Sequence, residues 1–484
     1  MKLVSSLLLS SVAAFAVVGA QAADLPSKKA APSTYVKICD AYGAGFFYIP
    51  GTDTCLRVGG YVRAEYQYTP GHDVYVLADG TTKYNGATSA QPAGTNLPVQ
   101  VRASQDTSGM EMRGRVELDA RTESAWGTAR TFIRLRLTNN TGIRVFKQAN
   151  DGIYANQSTA SQGTTLEAAS VQWAGFTFGI ANNNYAFMPS IFYHGNAWAG
   201  FPNGQKQIAY TATFGGGLSA TVAIEDKTEW AYQRAYNSTP ANGYNLTANL
   251  RYDQPWGWAI VHGVIDNNSY NNTMTTTTTA TGVLAGLPTT ATFAALNGSS
   301  TKSAYAIGAT AMFNLPMLAP GDKLWVTANY ANGHIGALLS SGGLNNLSDS
   351  SGGRQLGGIG RIDTPITITG GSGTAASPYT VGNTTGFNIA AALVHNWTGN
   401  WRSQAKAGYV ELNPATTTLS NQWGKGRLWE VTHALIFSPV KDLDIGLELQ
   451  YIDLKNNVQN PTAATIEGLN QSGWSSKLRV ERNF

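Results

Sequence analysis

Three observations in the 484-residue sequence predict an all-β fold, a transmembrane antiparallel β-barrel of 16 strands. The first is alternation of apolar and polar residues over segments as long as a tilted membrane strand, about 9 to 11 residues. The second is the order of the connections, long and short in strict turn. The third is an amino terminus built for secretion, in a chain with no apolar run near the roughly 20 residues that a helical span needs.

Alternation is clearest from Met110 to Arg121. Met110, Met112, Gly114, Val116, Leu118 and Ala120 take one face, and Glu111, Arg113, Arg115, Glu117, Asp119 and Arg121 take the other. Leu56, Val58, Val62 and Tyr66 oppose Arg57, Arg63 and Glu65 in the same way, and Ile133, Leu135 and Leu137 oppose Arg130, Arg134 and Arg136. The chain ends likewise: Trp474, Leu478, Val480 and Phe484 alternate with Ser475, Lys477, Arg479, Glu481 and Asn483. Few soluble sheets need so charged a face, whereas a barrel with a wet lumen and an oily exterior does.

In chain order this period predicts strands over 56–68, 109–121, 127–138, 166–173, 176–182, 207–214, 218–226 and 243–253. It continues with 257–266, 303–314, 322–331, 386–397, 401–411, 427–438, 443–454 and 473–484. Long connections at 69–108, 139–165, 183–206, 227–242, 267–302, 332–385, 412–426 and 455–472 alternate with turns as short as the pair 174–175. Short turns on one rim and long loops on the other are the pattern of an outer-membrane barrel. Tracts such as "TMTTTTTATG" and "SSGGLNNLSDSSGGRQLGG" in the long loops lack the apolar residues to build a core, and read as solvated surface.

Residues 1–22 read as a signal peptide: Lys2, an apolar run, then the small-residue cleavage site Ala20-Gln21-Ala22. Residues 23–54 form a periplasmic lead and 55–484 the barrel, in which a sheet that must close on itself leaves no domain boundary. Charged residues are 13% of the chain, against a usual share of about 25%. Gly, at 53 residues, Tyr, at 22, and Trp, at 12, supply strand kinks and interfacial aromatic girdles. The six histidines are scattered, and no Gly-x-Ser-x-Gly, His-Glu-x-x-His or phosphate loop occurs, so no catalysis, cofactor or metal is expected. Nor is nucleic acid expected as a partner.

The lead holds both cysteines, in "YVKICDAYGAGFFYIPGTDTCLRVGGYVRAEY". In an oxidising compartment a Cys39–Cys55 disulfide is expected, worth about 3 kcal/mol in the chain-entropy model. With "AADLPSKKAAP" before it and the terminal Phe, this stretch resembles the porin family of the Rhizobiales and related alphaproteobacteria. The resemblance implies a homotrimeric, water-filled channel in the outer membrane of a Gram-negative bacterium, passing small hydrophilic solutes. It also implies contact with outer-membrane lipid and lipopolysaccharide, and a role for Phe484 as the signal read by the barrel assembly machinery.

General porins of this kind fold the third long loop inward to narrow the pore, opposite a basic wall. Here that loop is 183–206, with Tyr185, Phe192, Tyr193 and Trp198 among its aromatics and no Asp or Glu. The facing wall is expected to hold Arg57, Arg63, Arg113, Arg115, Arg121, Arg130, Arg134 and Arg136 against Glu65, Glu111, Glu117 and Asp119, a net positive stripe. Charge of one sign along a narrow, low-dielectric passage sets ion preference, here for anions. The loop aromatics leave a sugar-preferring channel open as an alternative; a barrel enzyme or an adhesin fits the charged wall less well.

Overall fold

The computed structural model describes residues 37–70, 73–77, 98–102, 107–142, 161–189, 204–226, 243–269, 301–338, 366–370, 380–413, 425–458 and 466–484. Sixteen long strands make up the wall. The first eight are β1 (Cys55–Thr69), β2 (Thr107–Thr122), β3 (Ala129–Gly142), β4 (Ser161–Trp173), β5 (Phe176–Asn182), β6 (Gly204–Gly215), β7 (Leu218–Asp226) and β8 (Tyr244–Gln254). The others are β9 (Gly257–Ser269), β10 (Thr301–Asn314), β11 (Lys323–Asn332), β12 (Thr385–Asn396), β13 (Trp401–Asn413), β14 (Gly426–Val440), β15 (Leu443–Val458) and β16 (Ile466–Asn483).

Each strand pairs antiparallel with the next, and β1 pairs with both β2 and β16, so the sheet is closed and leaves no edge. All 16 expected strands are present, and the fold is the predicted barrel. At the seam, Phe484 and Gly60 exchange backbone hydrogen bonds of 3.1 and 3.3 Å. Gly60 has φ +153°, and a Cβ there would lie 2.0 Å from the Arg115 carbonyl oxygen, so the seam requires glycine at this point. The pair Ala174–Gly175, with φ of 50° and 85°, turns β4 into β5 with the twist that two-residue hairpins favour.

The boundaries depart from expectation mainly at the long-loop rim. The β15–β16 ladder continues to Val458 opposite Ile466, well into the segment expected as a loop. Backbone pairing needs no alternation of side chains, so the ladder outlasts the pattern that revealed it. Two connections expected to be structureless carry small ladders, Asp73–Leu77 with Pro98–Arg102 and Ile366–Gly370 with Thr380–Asn383.

The outer face is apolar, with Val62, Ile208, Val261, Ile307 and Ile389 all more than half exposed, as lipid-facing side chains must be. Aromatic pairs stand on it: Trp126–Trp173 and Trp401–Phe437 near the short turns, Tyr409–Trp429 and Tyr451–Trp474 nearer the long loops. Inside, the two arcs of the wall differ. Tyr185, Met188, Ile335, Leu338, Val410, Leu412, Leu428 and Ile452 belong to one buried apolar cluster on the arc from β9 to β15. Charged side chains line the arc from β16 through β1 to β4.

Candidate functional site: the charged inner wall

Arg57, Arg63, Arg113, Arg115, Arg121, Arg130, Arg134 and Arg136 all share the inward face of β1, β2 and β3 with Glu65, Glu111, Glu117 and Asp119. The cause is the strand period of two, since registered neighbours such as Arg57–Asp119 and Glu117–Arg134 point the same way. The register also places like charges directly opposite one another: Arg63 faces Arg113, Glu65 faces Glu111, Arg115 faces Arg136 and Arg121 faces Arg130. Such pairs oppose folding. Carboxylates on the other flanking strand, or two residues along the same strand, offset them.

Arg63 Nε donates to Glu481 at 2.6 Å, Arg113 pairs with Glu111 at 2.7 Å, and Arg134 Nε donates to Glu117 at 2.7 Å. Asp119, 1% exposed, accepts from Arg121 and Arg130 at 2.8 and 2.9 Å and has Arg57 at 3.7 Å. Glu65 gathers Arg63 at 3.5 Å, Lys477 at 3.6 Å and Arg479. Rings are interleaved with the cations: Arg63 and Arg115 lie 4.5 and 4.7 Å from the Tyr61 ring, and Arg130 and Arg134 lie 4.8 and 5.2 Å from that of Phe132.

Four members of this wall were not on the list read from sequence. Lys477, Arg479 and Glu481 lie on the wet face of the last strand, but only closure of β16 onto β1 brings them beside Glu65 and Arg63. Glu167 is different, because it sits at a bulge. The register steps from Arg134–Ala168 to Leu135–Leu166 and skips it. The extra residue turns its carboxylate toward Arg115 at 2.8 Å and Arg136 at 3.0 Å. Strict alternation gives no sign of such a site. With these four included, ten cations meet six carboxylates, a surplus of four.

Of the third long loop, Asn183–Pro189 is described, while Phe192, Tyr193 and Trp198 lie outside the described residues. This foot of the loop is held against β6, β7 and β9, away from the arginine wall. Tyr185, 2% exposed, meets the His262 ring edge-on at 4.4 Å, and Phe187 lies 5.4 Å from the same ring. Asn184 donates its backbone N–H to Glu225 at 2.8 Å and its side-chain amide to Gln207 at 2.6 Å. A second segment, Gly333–Leu338, also folds inward, with Ile335, Ala337 and Leu338 fully buried and Asn388 donating to the Leu338 carbonyl at 2.9 Å. The sequence reading placed this stretch in the long connection 332–385 and gave it no buried role. The short apolar run "HIGALL" is the signal it passed over.

A closed barrel with an apolar exterior and this wall within is the geometry of an aqueous membrane channel. Comparison with known proteins agrees: the model of the porin subfamily matches residues 24–476. The chain belongs to that family. This porin is 34% identical over 281 residues to Porin Omp2b of Brucella suis biovar 1, a match covering 55% of this chain and 66% of that protein. Porin Omp2b of Brucella melitensis biotype 1 matches to the same extent. The alphaproteobacterial resemblance seen in the lead therefore holds, and the match spans slightly less than two thirds of those relatives. Among solved structures, the outer membrane channel DcaP of Acinetobacter baumannii superposes with a TM-score of 0.55 at 14% identity, covering 90% of this porin and 99% of that chain, a likeness of fold. Family, relatives and barrel put the chain in the outer membrane of a Gram-negative bacterium.

Proposed function

We propose that this porin is a general diffusion channel, a water-filled passage for small hydrophilic solutes and ions. The observation that supports this best is the inner wall, where ten cations share six carboxylates on the inward side of a closed sheet. A wall built only for stability would not set arginines opposite arginines. Passage is by diffusion. The surplus charge raises the local concentration of anions without binding any one tightly, so uncharged solutes pass according to size. The family points to a channel rather than an enzyme.

In this reading the short turns face the periplasm, residues 1–22 are removed on secretion and the barrel assembles as a homotrimer. The long loops meet lipopolysaccharide, and the barrel assembly machinery reads Phe484. The arginines set a weak preference for anions at low salt. That preference fades as the Debye length falls from about 30 Å at 0.01 M to about 3 Å at 1 M. The test is conductance and reversal potential of the purified protein in a lipid bilayer across a salt gradient. Steps of conductance with an anion preference that declines with salt are expected. A barrel that inserts but does not conduct would overturn the proposal.

A further inference from the structure

The described part of the lead, residues 37–54, has no part in the channel as described so far, yet it is seated on the barrel. Cys39 and Cys55 are joined by a disulfide, with Cα atoms 6.0 Å apart. They enclose Phe46 in a small cluster in which the three residues are 0%, 2% and 3% exposed, with Tyr42 and Tyr48 packed against it. Phe47 and Tyr48 pair with Leu56 and Cys55 at the start of β1, and the Tyr42 hydroxyl donates to Glu123 in the turn after β2 at 3.3 Å. The lead is thus seated on the short-turn rim, at the end of the arginine wall.

Its contact with that wall is specific. The Phe46 ring lies 5.3 Å from the Arg57 guanidinium and 4.9 Å from that of Arg121. Gly45, at φ +90°, passes beside Arg57, where a Cβ would make van der Waals contact with Arg57 Cδ at 3.6 Å. Arg57 has no comparably firm hold elsewhere among its ion-pair contacts. Both oxygens of Asp119 are taken by paired hydrogen bonds from Arg121, at 3.0 and 2.8 Å, and from Arg130, at 2.9 and 3.0 Å, leaving Arg57 at 3.7 Å. At 45% side-chain exposure Arg57 is also the most open of the eight arginines, the next being Arg136 at 31%. The most accessible cation of the wall is therefore the one that depends on an aromatic ring supplied by the lead.

We propose that the disulfide-closed segment Cys39–Cys55 is a working part of the pore: a collar at the short-turn rim in which Phe46 is a positioning residue, holding Arg57 over the passage and so setting part of its charge preference. The attraction between guanidinium and ring face supplies the hold, and the disulfide keeps the ring in place. This rests on the diffusion-channel reading above.

The test measures reversal potential in a potassium chloride gradient at low salt, on full-length protein whose folding is checked by heat-modifiability. Phe46→Leu is expected to lower the chloride-to-potassium permeability ratio by about twofold, because a mobile Arg57 no longer presents its charge at a fixed point of the passage. Phe46→Tyr restores the ratio, and the joint variant Cys39→Ser with Cys55→Ser shifts it in the same direction as Phe46→Leu. In an Arg57→Gln background, Phe46→Leu adds nothing further. An unchanged ratio in folded Phe46→Leu overturns the inference, as does a full additional effect in the Arg57→Gln background. Should Phe46→Leu fail to fold, the cysteine pair decides by the same two criteria. Wild-type protein that inserts without conducting removes the channel reading itself, a failure distinct from a conducting channel indifferent to Phe46.

Discussion

Along β16 and β1 to β4 the inward face carries arginines, several of them partly open to water, that share buried carboxylates, with three cations on Asp119 and three on Glu65. Along β9 to β15 the inward face is covered instead by the apolar cluster under Tyr185, Met188, Ile335 and Leu338. The ion pair Lys406–Glu430 is sealed within that arc, both side chains at 0% exposure. The same strand geometry serves both arcs. The difference lies in the cations: Arg57 and Arg136 keep 45% and 31% of their side chains open to water, whereas Lys406 keeps none, so removing the charge is felt more strongly at Lys406.

The largest effect is accordingly expected at the sealed pair. Lys406→Met removes a cation from a carboxylate whose side chain is 0% exposed, which costs about 3–5 kcal/mol, while Arg134→Met on the open wall costs about 1 kcal/mol or less. Gln450, which donates to Glu430 at 2.7 Å, does not replace a positive charge. Joint replacement of Lys406 by Met and Glu430 by Leu should recover most of the loss. Denaturant unfolding of the refolded barrel measures all four proteins, and equal costs at Lys406 and Arg134 would erase the contrast between the arcs.

In selectivity the ranking reverses. Neutralising Arg113, Arg115, Arg134 and Arg136 to Gln cancels the surplus of four and strips cations from Glu111, Glu117 and Glu167. The reversal potential is expected to shift toward cations at low salt, close to zero, whereas the Lys406→Met/Glu430→Leu barrel keeps the wild-type value. A quadruple variant that still prefers anions would mean that another part of the lumen controls passage.

The two arcs also differ in how far they can be read in sequence. Segments such as Met110–Arg121 announce their inward face because charge and apolarity alternate without a break, and the strands and eight arginines follow from that period. Contacts across the seam, Arg63 with Glu481 and Glu65 with Arg479, join residues some 400 positions apart and appear only once the barrel closes. On the packed arc the inward face mixes apolar, small and polar residues, Ala390 and Ala392 beside Asn388 in β12 and Leu428 beside Glu430 in β14, so no continuous charged face marks the lumen there. The burial of Ile335 and Leu338 depends on tertiary contact rather than on local pattern.

Glu167 combines the two difficulties, and it offers the subtlest test. Its carboxylate reaches Arg115 and Arg136 because β4 carries an extra residue at that point, and at 15% side-chain exposure it is less open than the arginines it serves. Glu167→Gln keeps the shape and removes one negative charge between two cations that the register sets opposite each other. Arg115 retains Glu117 at 4.0 Å, and Arg136 retains a hydrogen bond to Thr165 at 3.3 Å, so neither is left bare. The surplus rises from four to five, and anion preference at low salt should grow by about twofold or less, with the gain lost at 1 M, where screening acts within about 3 Å. Stability should fall by about 1 kcal/mol through repulsion between the freed arginines. Reversal potential and denaturant unfolding measured on the same preparation check both parts. A fall in stability without a change in selectivity would show that Glu167 only ties the wall together, out of reach of the ions that pass.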